Sequence, residues 1–170
     1  VYELLLRDII SFRLHPGARI SENAISQELS ISRSPVKTAL EKLVDRRFAK
    51  ITNNRYYVSD FDPEYYKEIC DFTMMIEPFA AKKAAPNIKP EQLEELYRIS
   101  DRLAALCQEA YASGKDFGFT KLLDQEMAFH YGVVKASGNG LISGLYEEHK
   151  YEVWRFRGCL LYSRPEGFFN

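Results

Sequence analysis

Two sets of side chains have types and spacings suited to chemistry. The first is Arg33, Ser34, Lys37 and Thr38, two cations and two hydroxyls within a six-residue stretch. Set in the opening turns of one helix they would project from a common side, because residues three and four apart are helical neighbours. A guanidinium can bond two acceptors on one guanine edge, and hydroxyls, an ammonium and free amides at a helix start suit phosphate oxygens. The second set is Glu126-x-x-x-His130. That spacing places a carboxylate and an imidazole on one helical face, where they could reach one metal ion. Each set has a plainer reading: a solvated helix with a capped start, and a core histidine hydrogen-bonded to a neighbour.

The surrounding residues supply elements to hold the first set. Val36, Leu40, Leu43 and Val44 recur at helical spacing, so one face is apolar and the cations and hydroxyls fall on the other. Ser34 is the predicted N-cap and Pro35 the first helical residue. Upstream, Tyr2, Leu5, Leu6 and Ile9 share a face in a helix over 2–12, which His15-Pro16-Gly17 breaks. Ser21 can cap a second helix over 22–29, and Ser30-Ile31-Ser32 is a turn-length connection to the third. Downstream, 48–52 and 56–58 read as short strands, joined by Asn53-Asn54-Arg55 because Asn tolerates positive φ. Three helices and a hairpin predict a winged helix-turn-helix over residues 1–60.

Charge agrees with this locally. The chain of 170 residues has a formal net charge of −1. Within residues 32–55, however, seven Lys/Arg face two Asp/Glu, while residues 61–170 carry 13 against 17. This asymmetry puts a phosphate-binding surface on the N-terminal part and argues against nucleic-acid binding by the rest.

Ser59-Asp60-Phe61-Asp62-Pro63 reads as a linker to a second domain, residues 64–170. Helical periods predict helices over 64–85, 90–113, 120–137 and 141–163, the last one open to a break at Gly158. Leu93, Leu96, Leu103, Leu106 and Ala110 lie on or near the inner face of the second of these, and Gly114 is its C-cap. The fold class is therefore mainly α: a winged helix-turn-helix, then an all-α antiparallel bundle. No apolar run reaches membrane-spanning length and no signal-peptide pattern is present. Cys70, Cys107 and Cys159 are odd in number and sit in apolar helical patterns, so they read as reduced core cysteines of a cytoplasmic protein.

The chain resembles the GntR transcription regulators of the FadR-like branch. The residues that carry the resemblance are 14–22, Leu-His-Pro-Gly-Ala-Arg-Ile-Ser-Glu, and 29–40, Leu-Ser-Ile-Ser-Arg-Ser-Pro-Val-Lys-Thr-Ala-Leu, completed by the wing ending in Val58. With lower specificity, 69–81, Phe129-His130 and Ala136-Ser137-Gly138-Asn139 resemble the helical, FCD-type ligand domain of that branch. The resemblance implies a homodimer that binds a near-palindromic double-stranded DNA operator, and a metabolite-responsive regulator, most often a repressor, rather than an enzyme. Ser32, Arg33, Ser34, Lys37 and Thr38 are its expected DNA contacts. Asn23 stands where members often carry a basic residue. Arg55 stands where the wing usually has glycine; it could enter the minor groove, hold a phosphate or stay solvated.

For the helical domain the resemblance implies a small-molecule effector, a carboxylic acid or another metabolite. It also implies, in one subgroup, a divalent metal (Zn, Ni or Mn) held by one Asp and three His. Glu126 stands at the Asp position and His130 at the first His position, with Asn139 in the adjoining signature. The other two His would fall beyond Asn170, so the chain reads as C-terminally incomplete and the ligand set as incomplete with it. Thr73 replaces an arginine that can hold an effector carboxylate; Arg102, Arg155 or Arg157 could supply a cation instead. Phe117, Phe119, Trp154 and Phe156 are expected in the core. The alternatives are a metal-dependent helical-bundle enzyme or a purely structural metal site, each using Glu126 and His130.

Overall fold

The computed structural model describes residues 1–113 and 119–163. It divides into two units, Val1–Pro63 and Glu64–Asn170. The first unit contains α1 (Tyr2–Ile10), β1 (Arg19–Ile20), α2 (Glu22–Glu28), α3 (Arg33–Asp45), β2 (Ala49–Thr52) and β3 (Arg55–Val58). The second contains α4 (Pro63–Ala84, whose first residue closes the first unit), α5 (Pro90–Ser113), α6 (Phe119–Ala136) and α7 (Gly140–Ser163). The architecture is a winged helix-turn-helix followed by an all-helical domain.

In the first unit α1 and α3 bury facing stripes. Leu5, Leu6, Ile9 and Ile10 come from α1, and Val36, Ala39, Leu40 and Leu43 from α3. Leu40 and Leu43 are wholly inaccessible, and truncating either to Ala costs about 3 kcal/mol. Val44, expected on the same stripe, is only half-buried; Ala39 takes the inner position. α2 is a short helix with Ser21 as its N-cap, its hydroxyl accepting the Ala24 amide at 3.3 Å.

α3 begins two residues earlier than the sequence predicts. Its N-cap is Ser32, not Ser34, and the Ser32 side chain makes no cap hydrogen bond. Pro35 is consequently the third helical residue. It is tolerated there because the first four amides of a helix need no intrahelical acceptor.

The sheet has the order β1-β3-β2, both pairings antiparallel. β1 pairs Arg19 with Tyr57, a short strand that the sequence reading does not contain. β2 and β3 form the wing, in register from Ala49 opposite Val58 to Thr52 opposite Arg55. The turn is therefore two residues, Asn53 and Asn54, both at positive φ (51° and 58°), as a right-twisted hairpin requires. Arg55 belongs to the strand and not to the turn.

In the second unit α4 buries Ile69, Thr73, Ile76, Ala80 and Ala84 along one face. It runs through Pro78, whose missing amide leaves the Met74 carbonyl without its helical donor. α5 packs on α6 and α6 on α7. The inner stripe of α5 follows the expected one through Leu96, Leu103, Leu106 and Ala110, gains Ile99, 7% exposed, and loses Leu93, 40% exposed. Leu96 meets α6 at Gly132, where a Cβ would lie 2.8 Å from Leu96 Cδ2, so glycine permits the approach of the two helices. α7 continues through Gly158 unbroken, since a helical glycine costs about 1 kcal/mol and does not by itself end a helix. Gly114 and Phe117 lie outside the described residues. Phe156 stacks on Tyr66 with ring centroids 5.8 Å apart, and Trp154 meets Tyr151 edge-on at 5.5 Å. Among the described residues no helix is long and apolar enough to cross a membrane.

Candidate functional site

The N-terminal end of α3 carries the first set of residues. Ser32, Arg33, Ser34, Lys37 and Thr38 are all exposed, while Val36, Ala39 and Leu40 between and beyond them point inward. No acidic residue stands in the first turn, so nothing in the helix itself offsets the positive end of its dipole. Lys37 lies 3.8 Å from Glu41 one turn on; both are more than half exposed, and such a pair is worth little and leaves the ammonium available. Arg33 has no carboxylate partner among the described residues. Asn23 is exposed on α2, and Arg55 is exposed on the wing beside its turn. Lys50, also on the wing, is paired with Asp60.

The second unit holds a different constellation. His130 lies on α6 between two carboxylates: Nδ1 is 3.0 Å from Glu77 Oε2 and Nε2 is 3.3 Å from Glu126 Oε1. Arg157, from α7, donates through Nη2 to both Glu77 oxygens, at 2.6 and 2.7 Å, and through Nη1 to Glu126 Oε1. Tyr146, fully buried on α7, donates its hydroxyl to Glu77 Oε1 at 2.7 Å. Three helices thus meet on two carboxylates, two nitrogen bases and a phenol. Glu126 Oε2 and Arg157 Nε are buried without a hydrogen-bond partner.

The electrostatics follow from this geometry. Burial works against the charged form of Glu77, but the hydrogen bond from His130 and the Arg157 charge overcome it and hold the carboxyl at about 2. Burial likewise disfavours the imidazolium, but the hydrogen bonds to Glu126 and Glu77 overcome it and raise His130 to about 9. Burial and the neighbouring Glu77 push the Tyr146 phenol upward, so it stays protonated as a donor.

Of the expected residues, Glu126 and His130 come together. Asn139 is engaged elsewhere: it follows the turn after α6, and its Oδ1 accepts the Ile142 amide at 3.2 Å as the cap of α7. Thr73 is buried on α4 with its hydroxyl on the Cys70 carbonyl at 2.9 Å. Of the three candidate cations, Arg157 reaches the cluster. Glu77 and Tyr146 were beyond sequence reasoning. The only local signal was a carboxylate inside the apolar run Met74-Met75-Ile76-Glu77-Pro78-Phe79.

A winged helix-turn-helix with a cationic third helix, followed by a helical domain with an internal polar cluster, defines a two-part protein with a nucleic-acid-binding type of head. Residues 1–55 match the model of the bacterial regulatory proteins of the gntR family, and residues 68–167 match the FCD domain. The chain belongs to the GntR family, with an FCD domain behind its helix-turn-helix. Members of the family and the relatives found are transcription regulators and not enzymes. The chain is 27% identical over 150 residues to the gluconate operon transcriptional repressor of Bacillus subtilis (strain 168), covering 88% of this chain and 58% of that protein. It is 30% identical over 97 residues to the transcriptional repressor RspR of Escherichia coli (strain K12), covering 56% of this chain and 42% of that one. It therefore spans only about half the length of these relatives. In fold it is similar to E. coli McbR/YncC (TM-score 0.69, 21% identity, 95% of this chain and 73% of that one). It is similarly close to a GntR regulator of Rhodococcus sp. RHA1 (TM-score 0.68, 24% identity, 95% and 72%).

FCD domains often bind a metal. The residues described here do not fit one. Both nitrogens of His130 face carboxylates, Glu126 Oε1 is taken by Arg157 and His130, and a guanidinium fills the space between the acids. Among the described residues no group of three His, Cys, Asp or Glu side chains is placed to hold an ion.

Proposed function

We propose that this chain is the DNA-reading and sensing part of a cytoplasmic transcription repressor that answers to a small metabolite. The single observation that carries the reading is the one-sided exposure of Ser32, Arg33, Ser34, Lys37 and Thr38 at the start of α3. Those residue types suit a major groove: Arg33 for a guanine edge, Lys37 for a base edge or a phosphate, and the hydroxyls for phosphate oxygens. Asn23 and Arg55 flank this surface on α2 and the wing as secondary contacts. Repression is the reading favoured by the similarity to repressors of B. subtilis and E. coli.

A second copy of the chain completes the reader, each copy contributing one α3 to a half-site of a near-palindromic operator. Exposed apolar side chains on the helical unit, Met74, Met75 and Phe79 on α4 with Leu141 and Leu145 on α7, support self-association. The effector enters the helical unit, and its binding alters operator affinity by the coupling free energy between the two sites.

The test is fluorescence anisotropy of the protein on the promoter of its neighbouring operon and on random DNA of the same length, with Arg33→Ala alongside. Wild type binds the promoter at least tenfold more tightly than random DNA, and Arg33→Ala loses most of that preference. Equal affinity of both proteins for both DNAs removes specific reading by α3.

A further inference from the structure

We propose that the Arg157 guanidinium does in this chain what a divalent ion does in metal-binding FCD domains: it is the internal cation that ties α4, α6 and α7 together. The proposal is independent of the DNA reading.

The placement of Arg157 carries it. From α7 its planar fork grips both oxygens of Glu77 on α4, at 2.6 and 2.7 Å, and reaches Glu126 on α6. One side chain thereby connects three helices through their acids, the same cross-link that an ion makes by sharing ligands. The guanidinium suits this position because its fork is flat and its charge cannot be removed by deprotonation.

The rest of the cluster is arranged for a cation already present. A histidine that binds metal directs one ring-nitrogen lone pair at the ion and gives its other nitrogen to a carboxylate or carbonyl. In His130 both nitrogens face carboxylate oxygens, so no lone pair is directed at an open position. Glu77 is consumed by Arg157, His130 and Tyr146. An entering dication would have to displace Arg157 and then lie against it. On α4 the buried position one turn before Glu77 carries no cation: it is Thr73, its hydroxyl turned to the Cys70 carbonyl. Arg157 supplies that charge from a different helix.

The experiment uses the untagged chain, dialysed without chelator and measured for metal by plasma mass spectrometry. Melting curves followed by helicity are then recorded alone, with EDTA, and with ZnCl2, NiCl2 or MnCl2. The expected result is far less than one metal per chain and a melting temperature that neither EDTA nor any of the three salts moves. Arg157→Met should melt roughly 10 °C lower, since a buried pair loses one partner, and ZnCl2 should restore part of the loss by giving the two acids a new cation. Arg157→Lys, a point charge without the fork, should fall between the two. One equivalent of bound metal in wild type, a wild-type melting temperature lowered by EDTA, or an Arg157→Met protein as stable as wild type overturns the proposal. If Arg157→Met does not fold, the metal content and chelator response of wild type decide the matter alone.

Discussion

Arg157 and Glu77 are eighty residues apart in the chain and share a two-pronged contact, Nη2 to both carboxylate oxygens at 2.6 and 2.7 Å. The side chains are 14% and 17% exposed, so water screens the pair poorly. Removing one partner strands the other. Glu77→Ala is expected to lower the stability of the helical unit by about 3 kcal/mol, read from the midpoint of a urea titration followed by helicity. A midpoint unchanged from wild type would falsify the structural role of the pair.

The same cluster makes stability depend on pH from both sides. Glu77 is held at about 2, below the ordinary value of 4.5. Its contribution is therefore present above pH 4.5 and lost as pH falls toward 2. His130 is raised from 6.5 to about 9. Its contribution is fully present below pH 6.5 and is lost as pH climbs through 9. The helical unit should be most stable between about pH 4.5 and 6.5 and lose roughly 2 kcal/mol on going to pH 9.5, a figure reduced for the partial exposure of His130. His130→Gln should flatten the alkaline limb in denaturant midpoints taken across this range. An alkaline limb identical to that of wild type would show that another group sets it.

Lys37 and Arg33 should fail differently on DNA. With Lys37 on a phosphate, Lys37→Ala removes a charge but no base contact, so operator and random DNA lose affinity about equally and the slope of log K against log salt falls by about 1. Arg33→Ala should instead cost operator affinity 10- to 100-fold, about 1–3 kcal/mol, with little change on random DNA. Titrations at four salt concentrations separate the two patterns. If Lys37→Ala changes preference without changing the salt slope, the two assignments are reversed.

The wing turn makes a test that needs no DNA. Asn53 and Asn54 both hold positive φ, which a β-branched residue adopts only with strain. Asn54→Gly should be neutral or slightly stabilising, and Asn54→Val should destabilise the first unit by about 1–2 kcal/mol, measured by thermal melting. Equal melting temperatures for the two variants would mean that the turn relaxes into another type.

Much of the first unit is legible in the sequence because its signals are local. Val36, Leu40 and Leu43 repeat at helical spacing on one inner face, and paired asparagines between β-branched and aromatic runs mark the turn. The start of α3 is misread because Ser34-Pro35 has the form of a cap followed by a first helical residue, although proline is equally acceptable two positions further in. In the second unit helix extents are legible, and so is most of the phase of α5: Leu96, Leu103, Leu106 and Ala110 share one arc with Ile99, and Leu93, near the helix start, falls outside it. Glu126 and His130 pair within one helix, so their spacing reveals them. Glu77 and Tyr146 meet them from helices distant in sequence, and no window on either segment indicates the contact. Arg157 is visible in the sequence as a candidate cation; only the fold distinguishes it from Arg102 and Arg155.

Gly132 meets Leu96 where α6 crosses α5, and a single added carbon would stand 2.8 Å from the leucine methyl. The two positions are thus tied as an evolving pair. A family member that acquires Ala or Ser at 132 gains helix propensity of up to about 1 kcal/mol, and keeps it only if the side chain at 96 shortens or turns aside. Aligned sequences of this branch should record that bargain as covariation between columns 96 and 132, with small–large and large–small combinations retained and large–large ones depleted.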